Sequence, residues 1–143
     1  MKVTLKSRLG ALALAAVLGG VACDTVPVPT LPTPTTSDLF FTSQLMKGGS
    51  TTRSFKVGKA GEVKVLFTSF LPETAAVVNV ALGNWNGTTC TPTTSVATAA
   101  GSTTAIITTT LAVGEYCLQL ADPGVLTKTN DYSLTVTIPY SSQ

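Results

Sequence analysis

The chain has 143 residues, a formal charge of +2 and only 11% charged side chains, and it contains no histidine. Without His it lacks the commonest general base, the usual partner of a nucleophilic Ser or Cys, and the commonest metal ligand. From Cys23 onward six basic residues meet seven acidic ones, a formal −1, so the basic balance sits at the N-terminus and gives no ground for nucleic acid as a partner.

Lys2, Lys6 and Arg8 precede an uncharged run of Leu, Ala, Val and Gly from Leu9 to Ala22. A basic start followed by an apolar stretch of this length has the pattern of a secretory signal helix, since a membrane span needs ~20 apolar residues. Residues 1–22 therefore read as a signal peptide. Gly19-Gly20-Val21-Ala22-Cys23 resembles the lipobox of bacterial lipoproteins, with Gly20 where that family most often carries Leu. The resemblance implies that the Cys23 sulfur receives a diacylglycerol and that the chain is cut just before it. The other outcome is ordinary cleavage after Ala22, which leaves Cys23 a free thiol. Cysteine arithmetic favours lipidation: of Cys23, Cys90 and Cys117, it leaves one clean pair for an oxidising compartment. The expected location is exported and lipid-anchored at the cell membrane or outer membrane, periplasmic or at the cell surface.

Residues 23–37 read as the lipidated Cys and a disordered linker rich in Pro and Thr. Pro27, Pro29, Pro32 and Pro34 lock φ, remove backbone donors and push their predecessors into extended conformations. A semi-rigid spacer, on the order of 40 Å when extended, follows from that spacing. The competing reading, a Pro-rich docking ligand, is less favoured.

Residues 38–143 leave room for one domain with its own core. No window keeps a helical period, and strand signals recur between turns of Gly, Pro, Asn and Ser. Strands are expected over Leu39–Met46, as a first edge, and over Thr51–Val57 and Glu62–Phe70. Further strands are expected over Ala76–Gly83, Thr103–Leu111, Glu115–Leu120 and Asp131–Ile138. The last alternates most clearly, with Tyr132, Leu134, Val136 and Ile138 against Ser133, Thr135 and Thr137. The fold class is all-β: an antiparallel β-sandwich, jelly-roll-like, of about 7–8 strands. Residues 83–101 read as a long irregular loop.

Several short motifs then resemble one family. They are Ser54-Phe55-Lys56-Val57 before Ala60-Gly61, Val63-Lys64-Val65, Val113-Gly114-Glu115-Tyr116-Cys117-Leu118, and Asp131-Tyr132-Ser133-Leu134-Thr135-Val136. Their order is similar to that of the bacterial pre-peptidase C-terminal domain, over nearly all of 38–140. That resemblance implies a small jelly roll serving as an accessory module, in some members adhesive or carbohydrate-binding.

Cys90 and Cys117 are expected to form a disulfide that pins the loop, with Cys117 pointing away from the core beside Glu115 and Gln119. Closing a loop of this length stabilises by ~3 kcal/mol in the chain-entropy model. Their separation fits no zinc spacing, and no CxxC redox motif is present. Trp85, between Asn84 and Asn86, is the candidate ligand-binding group: an aromatic beside amides suits a sugar ring. The other reading has Trp85 plugging one end of the sandwich. Asn86-Gly87-Thr88 fits a glycosylation pattern or a turn, with the turn preferred. Asp122 and Asp131 lack a third acidic neighbour for a calcium site, and Asp122-Pro123-Gly124 reads as a turn. Lys47, Arg53, Lys56, Lys59 and Lys64 read as charges protecting a strand edge rather than as one basic patch.

No catalytic constellation stands out, so an enzyme is not expected, and neither metal nor cofactor is expected. The leading expectation is a non-catalytic interaction or structural module of the bacterial cell envelope. Its partners are the membrane, through the N-terminal lipid, and a polysaccharide or an envelope protein. The alternatives are a carbohydrate-binding module using Trp85, and a subunit of a self-associating surface assembly.

Overall fold

Strands with one apolar face and one hydroxyl-bearing face must bury the first against another sheet and can leave the second in water. The computed structural model describes residues 35–140, and these form eight strands and no helix. The signal segment, Cys23 and the linker up to residue 34 lie outside the described residues. The strands are β1 (Thr36–Leu45), β2 (Ser50–Val57), β3 (Gly61–Leu71), β4 (Val77–Trp85), β5 (Cys90–Ala99), β6 (Ile107–Leu111), β7 (Gly114–Ala121) and β8 (Asn130–Pro139). Two four-stranded antiparallel sheets, β1-β8-β3-β6 and β2-β7-β4-β5, pack into a sandwich. This is the jelly-roll order, and the expected fold class holds.

The core comes from the alternation. Tyr132, Leu134, Val136 and Ile138 of β8 are buried, facing Val78, Val80 and Leu82 of β4 and Leu118 and Leu120 of β7. Truncating a side chain such as Leu134 to Ala would cost ~3 kcal/mol, as the lost transfer energy adds to that of the cavity. In β3 the register against β8 shifts between Phe67 and Ser69. The extra residue reverses the alternation, so Phe67 and Phe70 both turn inward and meet edge-on at 5.8 Å. The buried Tyr132 hydroxyl finds its partner across the layers, 2.7 Å from the Thr51 hydroxyl.

Four expectations change. Residues 83–101 are not a loop: β4 runs on to Trp85, and β5 pairs back along it from Cys90 to Ala99. That stretch hides its strand character because β5 is an edge, exposed along most of its length, and only Val96 packs on the core. Thr, Ser and Ala therefore replace the apolar alternation that marks other strands. β6 is shorter than expected, starting at Ile107, with Ile106 N–H donating to the Val65 carbonyl just before it. β1 starts at Thr36, inside the stretch assigned to the linker. The cationic residues do not share an edge either. Arg53 and Lys56 lie on edge strand β2, whereas Lys64 lies on inner strand β3 and pairs with Glu62 at 2.9 Å.

Strand direction sorts the connections into two poles. Thr36 and Pro139 are ladder partners, and the Tyr140 N–H donates to the Thr35 carbonyl, so both ends of the described chain lie at one pole. The turns 58–60, 86–89 and 112–113 share it. The connections 46–49, 72–76, 100–106 and 122–129 start from or close the opposite pole, one strand length away, about 30 Å.

Candidate functional site: two fastened poles

At the pole where the chain ends meet, the central fact is a missing side chain. Gly83 faces outward on β4, and a β-carbon there would collide with the Thr91 carbonyl and lie 2.7 Å from the Pro92 Cα. The backbone of β5 crosses over β4 at this point, where the β4–β5 register shifts. Only Gly admits so close an approach. The crossing carries Cys90 past β4 to Cys117 on β7, and the two form a disulfide with Cα atoms 5.7 Å apart. Cys117 stands outside the core cluster, on the outer face as expected, yet it is wholly buried. The crossing chain and the disulfide cover it.

Trp85 follows on β4, paired with Cys90. It is half-buried and is not a member of the core cluster. Beside it lies a shallow hollow of about 210 Å³, lined by Ser54, Phe55, Lys56, Trp85 and Glu115. An indole flanked by a hydroxyl, an ammonium and a carboxylate can stack on a ring and hydrogen-bond its substituents. Asn84 is exposed. Asn86 is engaged in its own turn. Its side-chain oxygen accepts from the N–H groups of Thr88 and Thr89 and from the Thr88 hydroxyl, and its amide donates to the Thr89 hydroxyl. Gly87, at φ 99°, supplies the left-handed step that closes this turn.

At the far pole two side chains fasten three connections. Asp122 is 7% exposed, and its carboxylate accepts from the N–H groups of Gly48, Gly124, Val125 and Leu126. It thereby ties the β7–β8 connection to the β1–β2 turn. Burial pushes the Asp122 carboxyl up, but the four backbone donors outweigh it and hold it below the usual aspartate range. Glu73 ties the β3–β4 connection to the same region. The Thr127 hydroxyl, then the Asn130 amide, hold the Glu73 carboxyl below the usual glutamate range. Asn130 is fully buried; its oxygen accepts from the Glu73 N–H, and its amide also donates to the Lys128 carbonyl. Nothing in the sequence marks these clamps, because the partners are backbone groups or lie 54 or more residues away.

The far pole also carries apolar surface. Met46 and Val125 are exposed on the clamped connections, and Leu71 and Val77 are exposed where β3 ends and β4 begins. A hollow of about 320 Å³ opens where β3 runs past the end of β6, lined by Phe67, Phe70, Thr74, Gly101 and Ser102 among others.

Asp131, named beside Asp122 as a calcium candidate, accepts instead from Gln44, and no group of three Cys, Asp or Glu among the described residues is placed to hold a metal ion. No helix among the described residues is long and apolar enough to cross a membrane.

The fold and its fastenings define a class: an eight-stranded jelly-roll sandwich with a cross-strand disulfide. Beyond that class, comparison with family models and with curated proteins finds no match.

Proposed function

We propose that the protein is a non-catalytic display module of the bacterial cell envelope, anchored by a lipid on Cys23 and held off the membrane by the Pro/Thr linker. The observation that carries this reading is the position of the chain ends. A tether arriving at Thr35 meets the pole that also holds the C-terminal end of β8. The opposite pole, with its clamped connections and exposed Met46 and Val125, is the one the tether does not enter. Rigid connections bearing apolar side chains suit a binding surface, since little conformational entropy is lost when a partner docks. The similarity of the strand motifs to the pre-peptidase C-terminal domain agrees with an accessory, non-catalytic role.

Membrane fractionation with intact mass tests the anchor. The expected product starts at Cys23, carries acyl chains and partitions with membranes; Cys23→Ala releases it or leaves it unprocessed. A parent chain that is soluble, with an unmodified Cys23, would falsify the anchored reading.

A second reading has one observation in its favour: Trp85 is partly exposed over a hollow that also holds Lys56 and Glu115. It makes the module carbohydrate-binding. Envelope polysaccharide should then quench Trp85 fluorescence, and Trp85→Ala should abolish retention on the immobilised glycan. The hollow's place near the tethered pole favours the display reading over this one.

A further inference from the structure

A sandwich has four open edges, and three of these are visibly blocked. β2 carries Arg53 and Lys56, β5 carries Pro92, and β6 is only 5 residues long. Charges, Pro and short length are the ordinary defences of an exposed strand edge. β1 has neither Pro nor short length, and it carries a single charge. It runs for 10 residues, Thr-Ser-Asp-Leu-Phe-Phe-Thr-Ser-Gln-Leu, with no Lys, Arg, Pro or Gly. Its one charged group, Asp38, is taken up by the Thr137 hydroxyl at 2.6 Å. On the outer face Phe40 is 69% exposed, and on the inner face Leu39 and Phe41 are only half-buried although they pack on the core.

We infer that β1 is the surface on which a second copy of this chain docks, antiparallel, joining two four-stranded sheets into one of eight strands. The occupant is named by the strand's own symmetry. Residues opposite one another in an antiparallel ladder share a face, so a two-fold pairing that keeps core faces together must be centred on a residue. Centred on Phe40, every pair matches. Phe40 meets Phe40 of the other copy and Leu39 meets Phe41. Asp38 meets Thr42, Ser37 meets Ser43, and Thr36 meets Gln44. Shifting the centre to Phe41 sets Phe40 against Thr42 and Leu39 against Ser43. Shifting it to Leu39 sets Asp38 against Phe40 and Ser37 against Phe41. One register is therefore self-complementary on both faces, with no like charges opposed. Arg53 and Lys56 bar the same closure through β2, so the join runs through one sheet.

This deepens the display-module reading by naming a partner, and rests on it only for where the tethers point. Antiparallel docking sets the two Thr36 residues, where the tethers enter, at opposite ends of the joined ladder.

The test uses the chain with Cys23→Ser and with residues 1–22 removed throughout, so neither an acyl group, nor the apolar leader, nor that thiol drives association; failure of the anchor reading leaves it untouched. Sedimentation velocity over a concentration series should show a monomer–dimer equilibrium. Phe40→Lys should weaken the dimer by about tenfold or more while the thermal unfolding curve, taken at a dilution where both chains are monomeric, stays unchanged, because Phe40 points into solvent in the monomer. Facing residues lie about 4.5–5.5 Å apart at Cα, within reach of a disulfide. Phe40→Cys should therefore give a covalent dimer on mild oxidation, and Thr42→Cys should not. A parent chain that stays monomeric, a Phe40→Lys variant that dimerises as well as the parent, or equal cross-linking by both cysteines would each overturn the inference.

Discussion

The two poles solve one problem with different chemistry. Each must hold a connection against a strand that is distant in sequence. The pole at the chain ends does it covalently, through Cys90–Cys117 under the chain that crosses Gly83. The far pole does it with Asp122 and Glu73, whose carboxylates accept from N–H groups and side chains of neighbouring connections. A covalent fastening is indifferent to pH and sensitive to reductant, and a carboxylate fastening is the reverse. The difference teaches that one small sandwich can have ends that loosen under separate conditions.

The largest expected effect comes from Gly83→Val. The added side chain meets rigid backbone at Thr91, so β5 must leave its path and the disulfide loses its geometry. We expect a loss of more than ~3 kcal/mol, read from the urea midpoint, with free thiol appearing in a thiol titration. Wild-type stability in Gly83→Val would show that the crossing is not needed.

Removing the bond alone, by Cys90→Ser with Cys117→Ala, should cost ~3 kcal/mol. The loss should be the same at neutral and acid pH. Because Gly83→Val disturbs the crossing as well as the bond, it should exceed this double variant.

Asp122→Ala leaves four N–H groups without their acceptor, and a cost of about 2 kcal/mol is expected. The pH dependence separates it from the disulfide variants. Since the folded carboxyl titrates below its unfolded value, its contribution is full above roughly pH 5. That contribution is lost as the pH falls through and below the ordinary aspartate range. Denaturation midpoints of the parent should therefore drop in acid more than those of Asp122→Ala. Parallel pH profiles would remove Asp122 from the clamp.

The smallest effect belongs between the poles. Lys64–Glu62 is an exposed pair, with side chains 51% and 57% accessible, and Lys64→Ala should change stability by no more than ~0.5 kcal/mol. A larger loss would mean that the outer face of β3 contributes more than the ion pair.

How much of this was legible in the sequence follows from what each residue touches. β8 shows itself because every second side chain is buried, as the run from Tyr132 to Ile138 demonstrates. The Cys90–Cys117 pair and the outward face of Cys117 follow from cysteine number and strand parity. β5 escapes because an edge strand that packs only through Val96 has no alternation to display. Gly83 looks like any turn Gly until the Thr91 backbone is seen above it. Asp122 reads as part of an ordinary Asp-Pro-Gly turn, and only the fold brings Gly48 to it across 74 residues.

The ladder between β1 and β8 has a mechanical consequence. Its hydrogen bonds lie across the strands, and Thr36 is paired with Pro139 at one end while Leu45 is paired with Asn130 at the other. A load that enters at Thr36 and leaves through the far pole pulls β1 along its own axis. All ten pairs then carry the strain together, like fibres in a spliced rope. A load between Thr36 and Tyr140 opens the same ladder one pair at a time, as a zip does. Force applied in the first direction should therefore be resisted far longer than force applied in the second.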